Sequence, residues 1–311
     1  MRKSNSIFVI TVILLLASVG CKPSKKEITT NESTINSMLY FGQTPPSTVP
    51  IKFAPDIISK ADRYEFGCTL SEDGKEFYFG VDNKGKMEIH RTMLVDGKWT
   101  PTENLFPNDS CGYNDPMFSV DEQRLYFISN RPAELGQPLK DIDIWYVQRY
   151  GEKWSTPINV GAPVNNHLDQ YFASFNANGD LYFASKDLTE GSPRYAFDIY
   201  KATAQNGQFM TPEKLSAAIN TERYEADVFI APDESYLIFC DIRKEGLGQG
   251  DLYISFKDEK NQWTEAVSMG AKINTDKHEL CPFVTKDGKY FFYTSNQDIY
   301  WVSTTIFDAY K

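Results

Sequence analysis

Five polar residues recur at equivalent positions of a repeated pattern, and their side chains suit ligand binding. Each lies five residues before a large apolar residue that ends an apolar segment, such as Leu70 or Phe118. The five are Glu65, Tyr113, Gln170, Glu225 and Glu279, with Asp115 and Asp227 close to two of them. Carboxylates held together raise one another's pKa or recruit a cation such as calcium. We predict a binding site for a cation, a sugar or a basic peptide; the alternative is that these residues only solvate a channel and bind its waters.

The elements that must position these residues come from an internal repeat. A turn followed by an aromatic segment occurs five times, as SEDGKEFYF, SVDEQRLYF, NANGDLYF, APDESYLIF and TKDGKYFFY. A second segment opens each time with an acidic residue, at Glu88, Asp143, Asp198, Asp251 and Asp298, in steps of 55, 55, 53 and 47 residues. The aromatic residues Trp99, Trp154, Phe209 and Trp263 predict that a fourth strand opens at each of them, in the first four copies.

Several strands per unit, at a period of roughly 40 to 55 residues, predict a β-propeller. The chain is therefore expected to be all-β, with five four-stranded blades; six blades are the alternative. The fifth copy lacks a fourth strand, and Ile51–Ile58 resembles the fourth-strand pattern of the other copies. The amino-terminal strand should therefore complete the last blade and remove an open sheet edge.

Loop lengths predict which face of the propeller carries function. Tight Gly-containing turns such as Asp73-Gly74 join strands one and two, and similar turns such as Asp96-Gly97 join strands three and four. The other connections, between strands two and three and between blades, are predicted to be long and to emerge on the opposite face. We call these the tight-turn face and the long-loop face, and expect binding on the latter.

The amino terminus has the features of a bacterial lipoprotein signal. A basic start, the apolar run Ile7 to Leu16 and small residues before Cys21 predict a signal peptide over residues 1–20. The Val19-Gly20-Cys21 sequence resembles a lipobox, which implies lipidation of Cys21; an ordinary signal peptide is the alternative. Residues 21–50 are predicted to be a solvated tether and 51–311 the propeller, with lipid as the only membrane anchor. The basic residues after Cys21 favour an outer-membrane lipoprotein that faces the periplasm.

Composition excludes some classes of function. The net charge of -10 argues against nucleic-acid binding, which needs a positive surface. The three His lie in different repeats, and no residues show zinc-ligand spacing, so we predict no metal centre and no cofactor apart from the channel cation. Four cysteines beyond Cys21 are predicted to be buried free thiols, with disulfides as the alternative: Cys68, Cys111, Cys240 and Cys281.

The repeats resemble a known family. The Ser/Ala-x-Asp-Gly turn before an aromatic strand, the segment Ser129-Asn130-Arg131 and the Asp-Ile-Tyr/Trp openings are similar to the WD-repeat-like β-propeller repeats of the TolB type. The resemblance covers residues 51–304 and implies the propeller fold. It leaves function open, because propellers carry binding modules, scaffolds and enzymes alike.

Two functions of different classes remain. The first is a non-enzymatic, monomeric binding domain that offers its long-loop face to an envelope protein or a glycan; we predict this one, with no catalytic residues. The second is a glycoside hydrolase, which would use two of the carboxylates Glu65, Glu225 and Glu279 as acid and nucleophile or base. The carboxylates fall at repeat-equivalent positions, as in a structural ring, which favours the first.

Overall fold

The structure, a computed structural model, describes residues 38–132, 142–186 and 196–311. The predicted signal peptide, Cys21 and the first part of the tether lie outside these residues. The described part begins with a 3-10 helix, Leu39–Gly42, followed by strand β1 (Ile51–Lys52). Two further 3-10 helices, Gly270–Lys272 and Thr304–Ala309, occur near the carboxyl terminus.

The strands form five small antiparallel sheets in a ring, which confirms a five-bladed β-propeller. The first blade contains β2 (Tyr64–Leu70), β3 (Glu76–Asn83), β4 (Lys86–Val95), β5 (Lys98–Trp99) and β6 (Glu103–Asn104). The second contains β7 (Tyr113–Phe118), β8 (Arg124–Ser129), β9 (Asp143–Tyr150), β10 (Lys153–Trp154) and β11 (Ile158–Asn159). The third contains β12 (Gln170–Phe175), β13 (Leu181–Lys186), β14 (Phe197–Ala202), β15 (Ala204–Gln205), β16 (Gln208–Phe209) and β17 (Glu213–Lys214). The fourth contains β18 (Glu225–Ile230), β19 (Tyr236–Asp241), β20 (Asp251–Phe256) and β21 (Val267–Ser268), and the fifth contains β22 (Leu280–Val284), β23 (Tyr290–Ser295) and β24 (Asp298–Ser303).

The fifth blade is closed by the amino-terminal strand, as predicted. β1 pairs antiparallel with β24, Ile51 opposite Trp301 and Lys52 opposite Tyr300. The Phe53 N–H extends the ladder by donating to the Ile299 carbonyl at 2.8 Å. The paired strand is only two residues long and corresponds to Ile158–Asn159 of the second blade, so little of the predicted segment Ile51–Ile58 is strand.

The repeated aromatic residues do not open the fourth strands, contrary to the prediction. Trp99, Trp154 and Phe209 lie in short hairpins that extend the outer end of the third strand. The fourth strand begins several residues later, as at Ile158, which pairs with Tyr146. The hairpin lets the aromatic ring reach the preceding blade: Trp154 Nε1 donates to the Tyr78 hydroxyl at 3.0 Å.

The prediction of long connections between strands two and three is wrong for two blades. In the first and fifth blades these strands are joined by tight turns at Lys84-Gly85 and Asn296-Gln297, all four residues having positive φ. The corresponding connections of the second, third and fourth blades are longer. Parts of the first two of these, residues 133–141 and 187–195, lie outside the described residues.

The largest fully buried side chains of the core are aromatic, and some of them pack between neighbouring blades. Phe53 contacts Phe77 of the first blade and Phe292 and Trp301 of the fifth, with ring centroids 4.9 to 5.3 Å apart. Such aromatic pairs add to the free energy gained by burying apolar surface. The four described cysteines, Cys68, Cys111, Cys240 and Cys281, are free and buried.

Candidate functional site

The five predicted ring residues are buried beneath the inter-blade loops. Four of them, Glu65, Gln170, Glu225 and Glu279, have 0% exposure, and Tyr113 has 2%. Four of the five bond the residue four positions earlier in the chain. The bonds are Tyr113 Oη to Asp109 at 2.7 Å, Gln170 Nε2 to Asn166 at 2.9 Å, Thr221 Oγ1 to Glu225, and Thr275 Oγ1 to Glu279 at 2.7 Å. Glu65 accepts from Arg63 Nε at 2.5 Å and from the Lys60 N–H at 3.2 Å. Through these bonds the side chains hold the loops in place, and their position at a channel mouth stays a prediction.

The residues that do converge on the axis lie two positions further along each first strand. The register of every first strand shifts at this point, which is the mark of a β-bulge. The bulged residues all have φ between 44° and 54°, and they are Gly67, Asp115, Phe172, Asp227 and Cys281. Gly and Asp tolerate this left-handed conformation, whereas Phe and Cys adopt it at a cost in free energy. Asp115 and Asp227, both among the predicted binding residues, therefore belong to this axial ring.

Asp115 and Asp227 come from the second and fourth blades and meet at Cys281 of the fifth. The Cys281 thiol donates to Asp115 Oδ1 at 3.6 Å, and the Cys281 N–H donates to Asp227 Oδ2 at 3.4 Å. Gly67 leaves room for this arrangement, since a Cβ at that position would lie 2.7 Å from Asp115 Oδ1. Asp115 and Asp227 are each 7% exposed as whole residues. The bulges thus form a buried pair of carboxyl groups, which we call the axial pair.

Burial raises the pKa of both members of the axial pair. The charge of Asp227 raises the pKa of Asp115 further, and the thiol of Cys281 offsets part of that rise. Burial also raises the pKa of the Cys281 thiol, so this residue stays protonated and acts as a donor. Because like charges in a dry site oppose joint ionisation, the pair titrates as a unit and retains a proton above the ordinary carboxyl range.

Three tyrosines at the long-loop end of the first strands lie near enough to the axial pair to feel its charge. Burial, and then the charges of nearby acidic groups that include Asp227, raise the pKa values of Tyr64, Tyr171 and Tyr224, that of Tyr171 to about 12. Phe197 links two of these rings, at 5.1 Å from Tyr171 and 5.7 Å from Tyr224 between centroids. All three tyrosines are half-buried. We call the three tyrosines and the axial pair the axial mouth.

The other end of the axis is apolar. A cavity of about 250 Å³ opens on the tight-turn face, lined by the last residues of the first strands. These include Leu70, Phe118, Phe175, Ile230 and Val284, the same residues that mark the repeat in the sequence. The axis is therefore polar and aromatic at the long-loop face and hydrophobic at the tight-turn face.

The carboxylates expected for a glycosidase are bonded to separate loops. Glu65, Glu225 and Glu279 belong to three blades, and each bonds groups of its own loop. Burial, opposed by the hydrogen bond from Thr221 and aided by the charge of its cross-strand neighbour Asp241, raises the pKa of Glu225 to about 7. Asp115 and Asp227, by contrast, both contact Cys281 and so lie in one place at the axis.

The described residues, 38–132, 142–186 and 196–311, contain neither a cluster of metal ligands nor a membrane-spanning helix. In these residues no group of three or more His, Cys, Asp or Glu side chains is arranged to hold a metal ion. The predicted channel cation stays a prediction. Over the same ranges no helix has the length and apolar character needed to cross a membrane.

Comparison with known proteins shows a shared fold. No protein-family model and no curated protein sequence matches the chain. The catalytic domain of the Coprinopsis cinerea GH62 α-L-arabinofuranosidase is similar in structure, with a TM-score of 0.52 and 10% identity over 83% of this chain and 97% of that one. The α-L-arabinofuranosidase PaAbf62A from Podospora anserina, in complex with cellotriose, gives 0.51 and 10% over 83% and 98%. TolB from Acinetobacter baumannii gives 0.48 and 13% over 77% of this chain, which spans about half (54%) of that TolB chain.

The axial mouth was only partly predictable. Asp115 and Asp227 were predicted as neighbours of the ring, whereas Tyr64, Tyr171, Tyr224 and Cys281 were missed. The signal that identifies the tyrosines is their position at the start of first strands, one residue before or after a buried Glu or Gln. That position places an aromatic ring at the long-loop end of the axis.

Proposed function

We propose that the chain is a lipid-anchored, non-enzymatic binding domain of the bacterial envelope that holds a glycan at its axial mouth. The observation that carries this proposal is the set of three half-buried tyrosines around Asp115 and Asp227. Aromatic rings offer flat apolar faces to the C–H groups of a sugar, and carboxylates accept hydrogen bonds from its hydroxyl groups. An envelope protein is the other partner, and it would use the same aromatic side chains as anchors.

The cellular setting of this proposal rests on the amino-terminal sequence. The apolar run before Cys21 supports export and lipidation, and the basic residues Lys22, Lys25 and Lys26 support an outer-membrane lipoprotein that faces the periplasm. Labelling of cells with a radioactive or clickable fatty acid tests the anchor. Incorporation that is lost in Cys21→Ser is the expected result; equal labelling of both chains contradicts it.

A glycoside hydrolase is the second candidate because of one property of the axial pair. Glycosidases use one protonated and one ionised carboxyl group, and burial with mutual repulsion separates the titration of Asp115 and Asp227 in this way. In this hypothesis Asp115 and Asp227 take the acid and base roles that the sequence analysis gave to two of Glu65, Glu225 and Glu279. The arabinofuranosidases share the fold, and their substrate class is a sensible first choice for assays.

The test is a glycan-binding measurement on residues 31–311 with matched variants. Tyr171→Ala and Tyr224→Ala should weaken binding roughly tenfold or more, because each loses a stacking surface. Tyr150→Ala is the control, since Tyr150 is 68% exposed and lies on the tight-turn side. Equal binding by Tyr171→Ala, Tyr224→Ala and Tyr150→Ala would exclude the axial mouth.

The same samples separate binding from hydrolysis. A bound glycan should be recovered intact after long incubation if the domain is a binding module. Release of a smaller sugar, abolished by Asp115→Asn or Asp227→Asn, would establish the hydrolase instead. If no glycan binds, capture of envelope proteins by wild type and by Tyr171→Ala tests the protein partner.

A further inference from the structure

The contact between the second and third blades differs from those on either side. Between the first and second blades, Arg149 pairs with Glu76 at 2.8 and 3.1 Å and lies 4.4 Å from the Trp154 ring. Trp154 Nε1 donates to Tyr78. An ion pair stacked on a tryptophan therefore closes this interface.

The contact between the third and fourth blades is closed in a similar way. Lys257 pairs at 2.6 Å with Glu234 of its own fourth blade and lies 5.0 Å from the Trp263 ring, and Glu234 makes the contacts to the third blade. Glu234 also accepts from Tyr182 at 2.7 Å and from Lys201 at 2.6 Å. Charged and aromatic side chains fill the space here as well.

The repeat places smaller residues at the same positions between the second and third blades. Ala204 takes the place of Arg149 and Lys257, and Phe209 takes the place of Trp154 and Trp263. Arg124 occupies the position of Glu76. In the described part of the chain, this interface thus has a cation on the second blade and no acidic side chain of the third blade in the wall around it.

Because Ala204 and Phe209 are smaller than their counterparts in the other blades, open space remains beside Arg124. A cavity of about 540 Å³ and an adjoining one of about 260 Å³ share Arg124, Tyr126, Gln208 and Phe209 in their walls. Tyr146 and Gln148 each line one of the two. We call this pair of cavities the interblade cavity. Its size lies within the range of sites for small ligands.

Arg124 is held in place within the interblade cavity by neutral groups. Its Nε donates to Gln148 Oε1 at 3.3 Å, its Nη1 donates to the Tyr126 hydroxyl at 3.2 Å, and its guanidinium carbon lies 4.7 Å from the Tyr146 ring centroid. Among the residues that the structure describes, no carboxylate lies within 4.0 Å of it, unlike Arg149 and Arg243. Asp121 is the one acidic residue in the described wall, and it is exposed at the rim, where it accepts from Ser119 Oγ and the Gln123 N–H.

We propose that the interblade cavity binds a carboxylated sugar residue such as a hexuronate. Its carboxylate would pair with Arg124, whose planar fork matches that group, and its ring would lie against Tyr126 and Phe209. The amides of Gln148 and Gln208 supply donors and acceptors for hydroxyl groups. This site lies towards the tight-turn face and is separate from the axial mouth, so it stands or falls independently of the proposed function.

The first test is calorimetric titration of the purified chain with glucuronate and galacturonate, and with glucose and galactose as uncharged matches. Uronates should bind at millimolar or lower concentration, and the neutral sugars roughly tenfold or more weakly, since they lack the charge-assisted pair. Absence of uronate binding at millimolar concentrations overturns the proposal. Equally tight binding of acetate or of a short peptide through its terminal carboxylate overturns the assignment to a sugar.

Three variants locate the site. Arg124→Gln should weaken uronate binding at least roughly tenfold. Ala204→Glu supplies the missing carboxylate across the interface, so it should abolish binding while raising the thermal stability, a combination that misfolding cannot produce. Arg91→Gln removes the same charge from the exposed pair with Glu103 and should leave binding unchanged. Uronate binding that survives Arg124→Gln or Ala204→Glu places the ligand elsewhere.

Discussion

Gly67 and Asp115 compete for the same space at the propeller axis: a Cβ on residue 67 would lie 2.7 Å from Asp115 Oδ1. Gly67 also has φ +44°, in the left-handed region that only glycine adopts without cost. Two separate penalties therefore oppose a side chain here. The carboxyl group of one blade occupies space that the neighbouring blade leaves empty.

The first prediction is that Gly67→Ala destabilises the fold by about 2 to 4 kcal/mol, of which about 1 to 2 reflects backbone conformation and the rest the displaced carboxyl group. Gly151→Ala is the control, because Gly151 has φ +60° and nothing within 4 Å of its Cβ position. Urea unfolding measures both. The excess cost of Gly67→Ala should shrink when Asp115 is also changed to Ala; an excess that persists in the double variant contradicts the steric explanation.

The second prediction concerns pH. Burial raises the folded-state pKa of Asp115 and Asp227 above the unfolded value of about 3.9. The folded protein then binds protons that the unfolded chain has released, so this contribution to stability is complete below the unfolded pKa and is lost as pH rises through the folded pKa. Asp115→Asn should flatten that fall by about 1.4 kcal/mol for each unit of raised pKa.

A carboxyl group with the opposite shift is the control for the pH series. Burial acts to raise the pKa of Asp73, but hydrogen bonds from Ser71 and Lys75 leave it below its ordinary value. Its contribution is present above the unfolded pKa and is lost as pH falls. Asp73→Asn should therefore change the acid side of the stability curve only. If Asp115→Asn and Asp73→Asn change the pH dependence of the free energy of unfolding in the same way, the axial pair is not the source of that dependence.

The fold was predictable because turn residues and aromatic residues recur in each repeat. The position of the site residues was not, because it depends on a β-bulge in each first strand. Counting back five residues from Phe118 reaches Tyr113, whereas the axial residue is Asp115. The bulge inserts one extra residue into the first strand, and one extra residue moves every following side chain to the other face. Its marker is a positive φ, which Gly67 and Asp227 suggest and Phe172 conceals.

The structural role of the predicted ring residues, which hold the inter-blade loops, was not predicted from the sequence either. A short motif precedes three of them: Asn165-Asn166 before Gln170, Asn220-Thr221 before Glu225, and Asn274-Thr275 before Glu279. The first Asn of each pair bonds the third strand, as Asn220 does with the Ile199 N–H at 2.7 Å and carbonyl at 2.9 Å. The repeated spacing of four residues indicates a loop clamp, and it explains the burial of these carboxyl and amide groups.

The third prediction is that the Glu76–Arg149 ion pair stabilises the interface between the first and second blades. A double-mutant cycle with Glu76→Gln and Arg149→Gln should give a coupling free energy of about 1 to 2 kcal/mol, because the pair is bidentate and each side chain is only 18% exposed. The Arg91–Glu103 pair, with Glu103 61% exposed, should give about 0.5 kcal/mol or less. Equal coupling in the two cycles would mean that burial and stacking on Trp154 contribute nothing.

The fourth prediction is that Phe53 joins the two ends of the ring. It has 0% exposure and contacts Phe77 on one side and Phe292 and Trp301 on the other. Phe53→Ala should cost about 3 to 5 kcal/mol, through lost burial and the cavity that remains. Phe239→Ala is the control, since Phe239 is equally buried in the cluster of the third and fourth blades.

Hydrogen exchange then distinguishes local opening of the β1–β24 pairing, which closes the ring, from a general loss of stability. In Phe53→Ala the amides that pair β1 with β24 should exchange faster than those of the other blades, because the two-residue strand depends on Phe53 for its position. In Phe239→Ala the same amides should follow the global stability. If both variants change exchange at the closure equally, the ring opens as one unit and Phe53 has no special role in closing it.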